Sequence, residues 1–187
     1  MGKTVHLKDG TDVLIRPLKK DDVERSLAFF QALPKEDLKY LRGDPTRREV
    51  VENRIREMES GEYNRLVAVV DDKIVADGAL EMTRRAWTSH VGELRLIVAQ
   101  EYQRKGLGML MAHELYALAA SFKIEQIMVT MMRPQIAARN IFLKLGFREE
   151  AVLPAHVRDR DGESQDLILM RCDLEALWRE LDAFFKS

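Results

Sequence analysis

Apolar and polar positions alternate at the start of the chain. Val5-His6-Leu7 and Val13-Leu14-Ile15 flank Asp9-Gly10, the pattern of a small hairpin. The spacing then turns helical. Val23, Leu27 and Phe30 share one face over Asp21 to Leu33, and Pro34 closes that helix. A second helix is predicted from Thr46 to about Met58, with Val50, Val51, Ile55 and Met58 inward. Strand signals follow at Leu66 to Val70 and Ile74 to Met82 around the turn Asp71-Asp72-Lys73, then at Val91 to Val98. Gly106 to Phe122 reads as a long helix carrying Leu107, Leu110, Met111, Leu115, Leu118 and Phe122 on one side. A strand over Ile127 to Met131 precedes a helix opened by Pro134, running to Leu145 and stopped by Gly146. Strands near Glu149 to Val157 and Gln165 to Cys172 lead to an amphipathic helix, Asp173 to Phe185, with Asp173 as N-cap. The predicted class is mixed α/β.

No repeat, low-complexity tract or Gly/Ser linker divides the chain. Residues 1–187 are therefore expected to form a single domain, with a core over about 12–172 and a C-terminal helix over 173–187. The 46% of apolar residues and 33% of charged residues exclude a disordered chain. The longest apolar run, Leu115 to Ala120, is far short of the ~20 residues a bilayer span needs. Thirty basic residues against 31 acidic ones give a net charge of −1, without the basic excess of a nucleic-acid binder. The lone Cys172 rules out an internal disulfide and a multi-cysteine zinc site, so no metal is expected. The N-terminus lacks an apolar signal region, which makes the cytoplasm the expected compartment.

Chemistry concentrates where the strand ending at Val98 meets the long helix. Gln103-Arg104-Lys105-Gly106-Leu107-Gly108-Met109 sets two glycines and two cations at a helix N-terminus. Unpaired N–H groups and the positive end of the helix dipole make such a turn a cradle for a diphosphate. A turn whose glycines serve packing alone is the competing reading. The P-loop pattern is absent, and the dinucleotide fingerprint fails at its third glycine, which is Met111 here.

Gln103-x-x-Gly106-x-Gly108 resembles the Gln/Arg-x-x-Gly-x-Gly/Ala signature of the GNAT N-acetyltransferase superfamily. Ala138-Arg139-Asn140-Ile141-Phe142-Leu143-Lys144-Leu145-Gly146-Phe147 is similar to that family's helix ending in Lys-x-Gly-Phe. Element order and motif spacing agree with the family from about Leu14 to Cys172. The resemblance implies a central mixed, mostly antiparallel sheet flanked by helices, in which two strands, Val91 to Val98 and Ile127 to Met131, splay apart. It implies acetyl-CoA as acyl donor in that wedge, with pantetheine along the backbone of Ile97, Val98 and Ala99. The pyrophosphate would lie on the amides of Arg104, Lys105, Gly106, Leu107, Gly108 and Met109, after Gln103. An N–H near Val98 would polarise the thioester carbonyl. Two positions depart from the family. Many relatives carry a Tyr general acid where this chain has Phe142, and an Asn where it has Gln135. Gln135 and Asn140 are the candidates for that cofactor contact.

Transfer to an amine requires a base. An amine of pKa near ~10.4 is nucleophilic in only about one part in a thousand at neutral pH, whereas a thiol of pKa ~8.5 leaves as a tolerable anion. Glu93 occupies a strand position where a number of relatives place a catalytic glutamate. An exposed residue paired with Arg95 is the alternative. Glu81, on the preceding strand, is the reserve, and His90 a further proton relay. His113-Glu114 lacks the second His of a zinc-protease motif. The methionines at 109, 111, 128, 131 and 132 read as core filler, and Cys172 is assigned no chemistry.

The expected activity is acetyl transfer to a primary amine, either small or on a protein. Leu7-Lys8-Asp9-Gly10-Thr11, Ile15-Arg16-Pro17-Leu18, Phe29-Phe30 and Leu38-Lys39-Tyr40-Leu41-Arg42 are similar to bacterial protein-lysine acetyltransferase domains. Rival readings are a non-catalytic acyl-CoA sensor, favoured by Phe142, and an interaction module using the C-terminal helix. Whether that helix supports a homodimer is left open.

Overall fold

The computed structural model describes residues 2–82 and 86–186. A hairpin of β1 (Lys3–His6) and β2 (Asp12–Pro17) opens the chain. Three helices follow: α1 (Val23–Ala32), the short α2 (Lys35–Leu38) and α3 (Arg48–Glu57). Then come β3 (Tyr63–Val70), β4 (Lys73–Met82), β5 (Val91–Val98), α4 (Leu107–Ser121), β6 (Gln126–Met132) and α5 (Ile136–Lys144). Strands β7 (Arg148–Arg158) and β8 (Ser164–Asp173) and helix α6 (Leu174–Lys186) complete the chain. Only α2 escaped the sequence pattern: at four residues it is too short for an apolar face to repeat.

Eight strands form one sheet in the order β1-β2-β3-β4-β5-β6-β8-β7. Every neighbouring pair is antiparallel except β5 and β6. Asp71 and Asp72 close the β3–β4 hairpin with φ of 47° and 63°, the left-handed pair a two-residue turn of this twist demands. Arg25 of α1 fastens that turn through its contact with Asp72 at 2.7 Å.

Strand alternation divides the core between the two faces. On one, α1 to α3 cover Val67, Val69 and Ile74 with Phe29, Phe30, Val51 and Ile55. On the other, α4 lays Leu107, Met111 and Leu115 over Ala68, Ala76 and Leu80. Gly78 of β4 makes this close approach feasible, since a Cβ there would meet Leu115 at 2.9 Å. The C-terminal helix packs against α4. Leu177 and Leu181 of α6 are fully buried, and Trp178 stacks on Tyr116 of α4 at 5.1 Å. Each buried leucine contributes about 1.5–3 kcal/mol, enough to anchor a thirteen-residue helix.

Helix α5 ends as its sequence predicts. Gly146 takes φ +82°, and the Phe147 amide donates back to the Phe142 carbonyl at 3.0 Å. Among the described residues no helix is long and apolar enough to cross a membrane.

Candidate active site

The parallel ladder between β5 and β6 is short. Val91, Gly92 and Glu93 pair with Gln126, Ile127 and Met128, and pairing stops there. Beyond it β5 stays on β4 while β6 follows β8, so a wedge opens between Leu94–Val98 and Val129–Met132. The splay predicted for these two strands is present. A cavity of about 140 Å³ occupies the wedge and passes from one face of the sheet to the other.

Its apolar end lies on the α4/α5 side, where Leu94, Leu96, Val129, Met131, Ala138 and Phe142 line it. The Ala99 N–H donates to Val75 of β4 at 2.9 Å. Antiparallel alternation therefore turns the backbone of Ile97 and Ala99 toward β4 and that of Leu96 and Val98 toward the wedge. Of the three residues expected along the pantetheine, Val98 is the one whose N–H and C=O face the opening. Gln103 donates from Nε2 to the Val98 carbonyl at 2.9 Å, tying the turn to the end of β5.

The glycine turn sits directly after that strand. Gly106 is the N-cap of α4 with φ +93°, a conformation a side chain would strain. Arg104 is also left-handed, at φ +59°. Gly108 has nothing within 4 Å of an added Cβ, so the first turn of α4 faces open space. Leu107 is buried beneath it, while Met109 and Leu110 are partly buried against the same core. Lys105 bonds Asp9 of the β1–β2 turn at 2.9 Å, and this cation holds the Asp9 carboxyl down at about 2. Lys8 completes the clasp by donating its amide to the Lys105 carbonyl at 3.1 Å.

At the start of α5, Gln135 accepts the Met132 N–H on Oε1 at 2.8 Å and lines the wedge. Asn140 is exposed and lies outside the cavity lining. Phe142 packs edge-on against Phe147, with centroids 5.0 Å apart, and presents its remaining surface to the cavity.

The other end of the cavity, under α1 to α3, is charged. Next to the lining residues Arg42, Arg95 and Thr130, but outside the lining itself, Glu81 and Glu93 are direct partners across β4 and β5, as the antiparallel arrangement requires. Glu93 is held by Arg42 and accepts the Thr130 hydroxyl at 2.7 Å, with only 13% of its side chain exposed. The expected neighbour Arg95 does pair with Glu93, at 3.7 Å, and makes a closer contact with Glu81. Tyr63 donates its hydroxyl to Glu81 at 3.1 Å. Behind them Arg65 and Asp77 form a buried pair at 3.0 Å. Burial, then Arg42, lowers the basicity of the Arg95 guanidinium. His90 stands in the turn before β5, its carbonyl accepting the Glu125 amide at 2.9 Å, away from the cavity lining.

Arg42, Arg54, Arg65, Asp77 and Thr130 were not legible as site residues. The one usable signal was that Arg65 and Asp77 fall on the same face of the β3–β4 hairpin, two residues apart in register, inside largely apolar strands. Away from the wedge, His113 packs against Trp178 and Phe185, and Cys172 is buried, which raises its thiol to about 11.

A splayed strand pair followed by a glycine turn and a long helix is the pattern the sequence motifs implied. The family model of the acetyltransferase (GNAT) domain matches residues 62–149, from the start of β3 to the start of β7. Just under half of the chain is thus similar to the GNAT acetyltransferase domain, and the fold is the GNAT fold. Solved GNAT structures share the fold. An acetyltransferase of the GNAT family from Streptococcus pneumoniae superposes with a TM-score of 0.73 at 22% identity, covering 86% of this chain and 99% of its own. Mycobacterium smegmatis RimJ in complex with CoA-disulfide gives 0.78 at 18%, covering 97% and 93%. The ribosomal-protein-alanine N-acetyltransferase from Brucella melitensis gives 0.73 at 20%, covering 85% and 98%. No curated protein sequence matches significantly. Within the GNAT fold, this chain places the family's glycine turn at one end of the wedge and a cluster of ion pairs at the other.

Proposed function

We propose that the chain acts as one N-acetyltransferase domain that passes an acetyl group from acetyl-CoA directly to a primary amine. The observation carrying this reading is that the β5–β6 ladder ends at Glu93, so a wedge with free backbone groups opens beside a carboxylate. The residues suit acetyl-CoA as substrate. The open first turn of α4, with the amides of Arg104 to Met109 and the side chains of Arg104 and Lys105, would hold the pyrophosphate. The backbone of Leu96 and Val98 would pair with the pantetheine, while Gln135 borders its path. The thioester supplies an activated acyl carbon.

The protein's own part is proton handling and charge stabilisation. Glu93 takes the proton from the entering ammonium, and Thr130 orients its carboxylate. Arg42, half exposed on the loop before α3, is the partner the amine must displace from Glu93. Glu81 is the reserve base. The Val98 N–H faces the position where negative charge develops on the carbonyl oxygen. Phe142 has no proton to give, so the thiolate leaves unassisted, which its low basicity permits.

The test is Glu93→Gln, which keeps the size and loses the base. Turnover should fall by roughly 10²–10⁴ while acetyl-CoA binding stays unchanged. Loss in Glu81→Gln with normal turnover in Glu93→Gln would exchange the two roles. Acetyl-CoA binding without turnover of any amine would favour the sensor reading, which Phe142 supports.

A further inference from the structure

The charged end of the cavity carries an excess of cation. Four guanidiniums line it, from Arg42, Arg54, Arg65 and Arg95. Three have acidic partners: Arg42 with Glu93, Arg95 with Glu81, and Arg65 with Asp77. Arg54 has no carboxylate in contact among the described residues. It donates to the Arg42 carbonyl at 3.1 Å and lies over the Phe30 ring at 5.0 Å. Two more donors are orphaned here, since the buried Nε atoms of Arg65 and Arg95 have no hydrogen-bond partner. Burial, followed by repulsion from Arg65, brings the Arg54 guanidinium down to about 10, as expected of a cation lacking its counter-ion.

We propose that the acceptor is a small amino-carboxylate, bound with its carboxylate on Arg54 and the neighbouring guanidiniums and its amine toward Glu93. The inference rests on the acetyl-transfer reading and adds the substrate class. Forked guanidinium donors match the two oxygens of a carboxylate, and one monoanion neutralises the unpaired charge. The ammonium end of the same zwitterion meets the carboxylates of Glu81 and Glu93. A polyamine, or a lysine flanked by basic residues, would bring more positive charge to a site that already has too much.

The experiment titrates the CoA-saturated 187-residue chain with the twenty proteinogenic amino acids and their α-amides, by calorimetry. At least one amino acid should bind tighter than its amide by roughly tenfold or more, the worth of one charge-assisted hydrogen bond. Arg54→Met should erase that preference and leave the thermal shift by acetyl-CoA intact. Equal binding of every acid and amide by the wild type overturns the proposal, as does a preference that survives Arg54→Met. Should Arg54→Met fail to fold, the wild-type comparison decides alone. These binding readouts need no turnover. Failure to bind acetyl-CoA would instead strike the acetyl-transfer reading, and acetylation of lysine peptides without an acid preference would strike only the substrate class.

Discussion

The two ends of the wedge are built on opposite principles. The α4/α5 end uses backbone: N–H and C=O groups of β5 turned toward the wedge, a left-handed glycine and an open helix start, beside apolar side chains. The α1–α3 end uses side chains: guanidiniums and carboxylates held in pairs, with one cation left over. A backbone site must recur wherever the same ligand is used, because peptide geometry does not vary. A side-chain site can be rewritten one residue at a time. The first end therefore suits an invariant donor and the second a particular acceptor.

The largest effect should come from breaking the charged end. Asp77→Asn leaves the buried Arg65 without its counter-ion, next to Arg54 and Arg95. Removing one partner of such a pair typically costs about 3–5 kcal/mol. The double variant Arg65→Met/Asp77→Leu should recover most of that loss, because both charges go together. Thermal melting of the three proteins checks this. A mild Asp77→Asn would show that water reaches Arg65 and that the charged end is not sealed.

The backbone end should respond in ligand binding and not in folding. Gly108→Asp adds a Cβ in open space and a carboxylate where the pyrophosphate would lie. Gly106→Asp would confuse two causes, since φ +93° strains any side chain. Acetyl-CoA at a hundred times Kd stabilises the wild type by about 2.7 kcal/mol, and the Gly108→Asp protein should show none of that shift. Its unliganded melting temperature should hold, because an acidic residue in the first helical turn favours the dipole. A retained shift would move the pyrophosphate off α4.

The same contrast decided what could be read in advance. Helices and strands were legible because periodicity and turn residues act locally, the splay followed from the family resemblance, and the glycine turn was legible because its ligand contacts are contiguous. The charged end draws Arg42 from a loop, Arg54 from α3, Arg65 from β3 and Arg95 from β5, so no sequence window contains it. Glu93 was singled out through the family resemblance, at a strand position where relatives place a glutamate. Its partners were not, because Arg42 is 51 residues away and Thr130 is 37. Glu81 opposite Glu93 followed from antiparallel pairing alone.

The smallest effect is expected at the seam between the two ends. Phe142 packs on Phe147 with one edge and borders the cavity with the rest. A hydroxyl added to a sealed core would cost about 1–3 kcal/mol as an unpaired buried group. On a ring that borders an opening it can be hydrated, so Phe142→Tyr should melt within 1 kcal/mol of wild type, or about 2–4 °C. The new phenol, of pKa near ~10, is protonated at working pH and, in the proposed mechanism, would stand where the departing thiolate needs a proton. Turnover should rise by roughly tenfold at most, because the thiolate already leaves without help, and the gain should be greatest at low pH. Turnover against pH and melting temperature, measured on the same samples, separate the two roles of this residue. A clear loss of stability with an unaltered pH profile would make Phe142 a packing residue under the Gly146 turn and would assign the wedge face of α5 to cofactor shape alone.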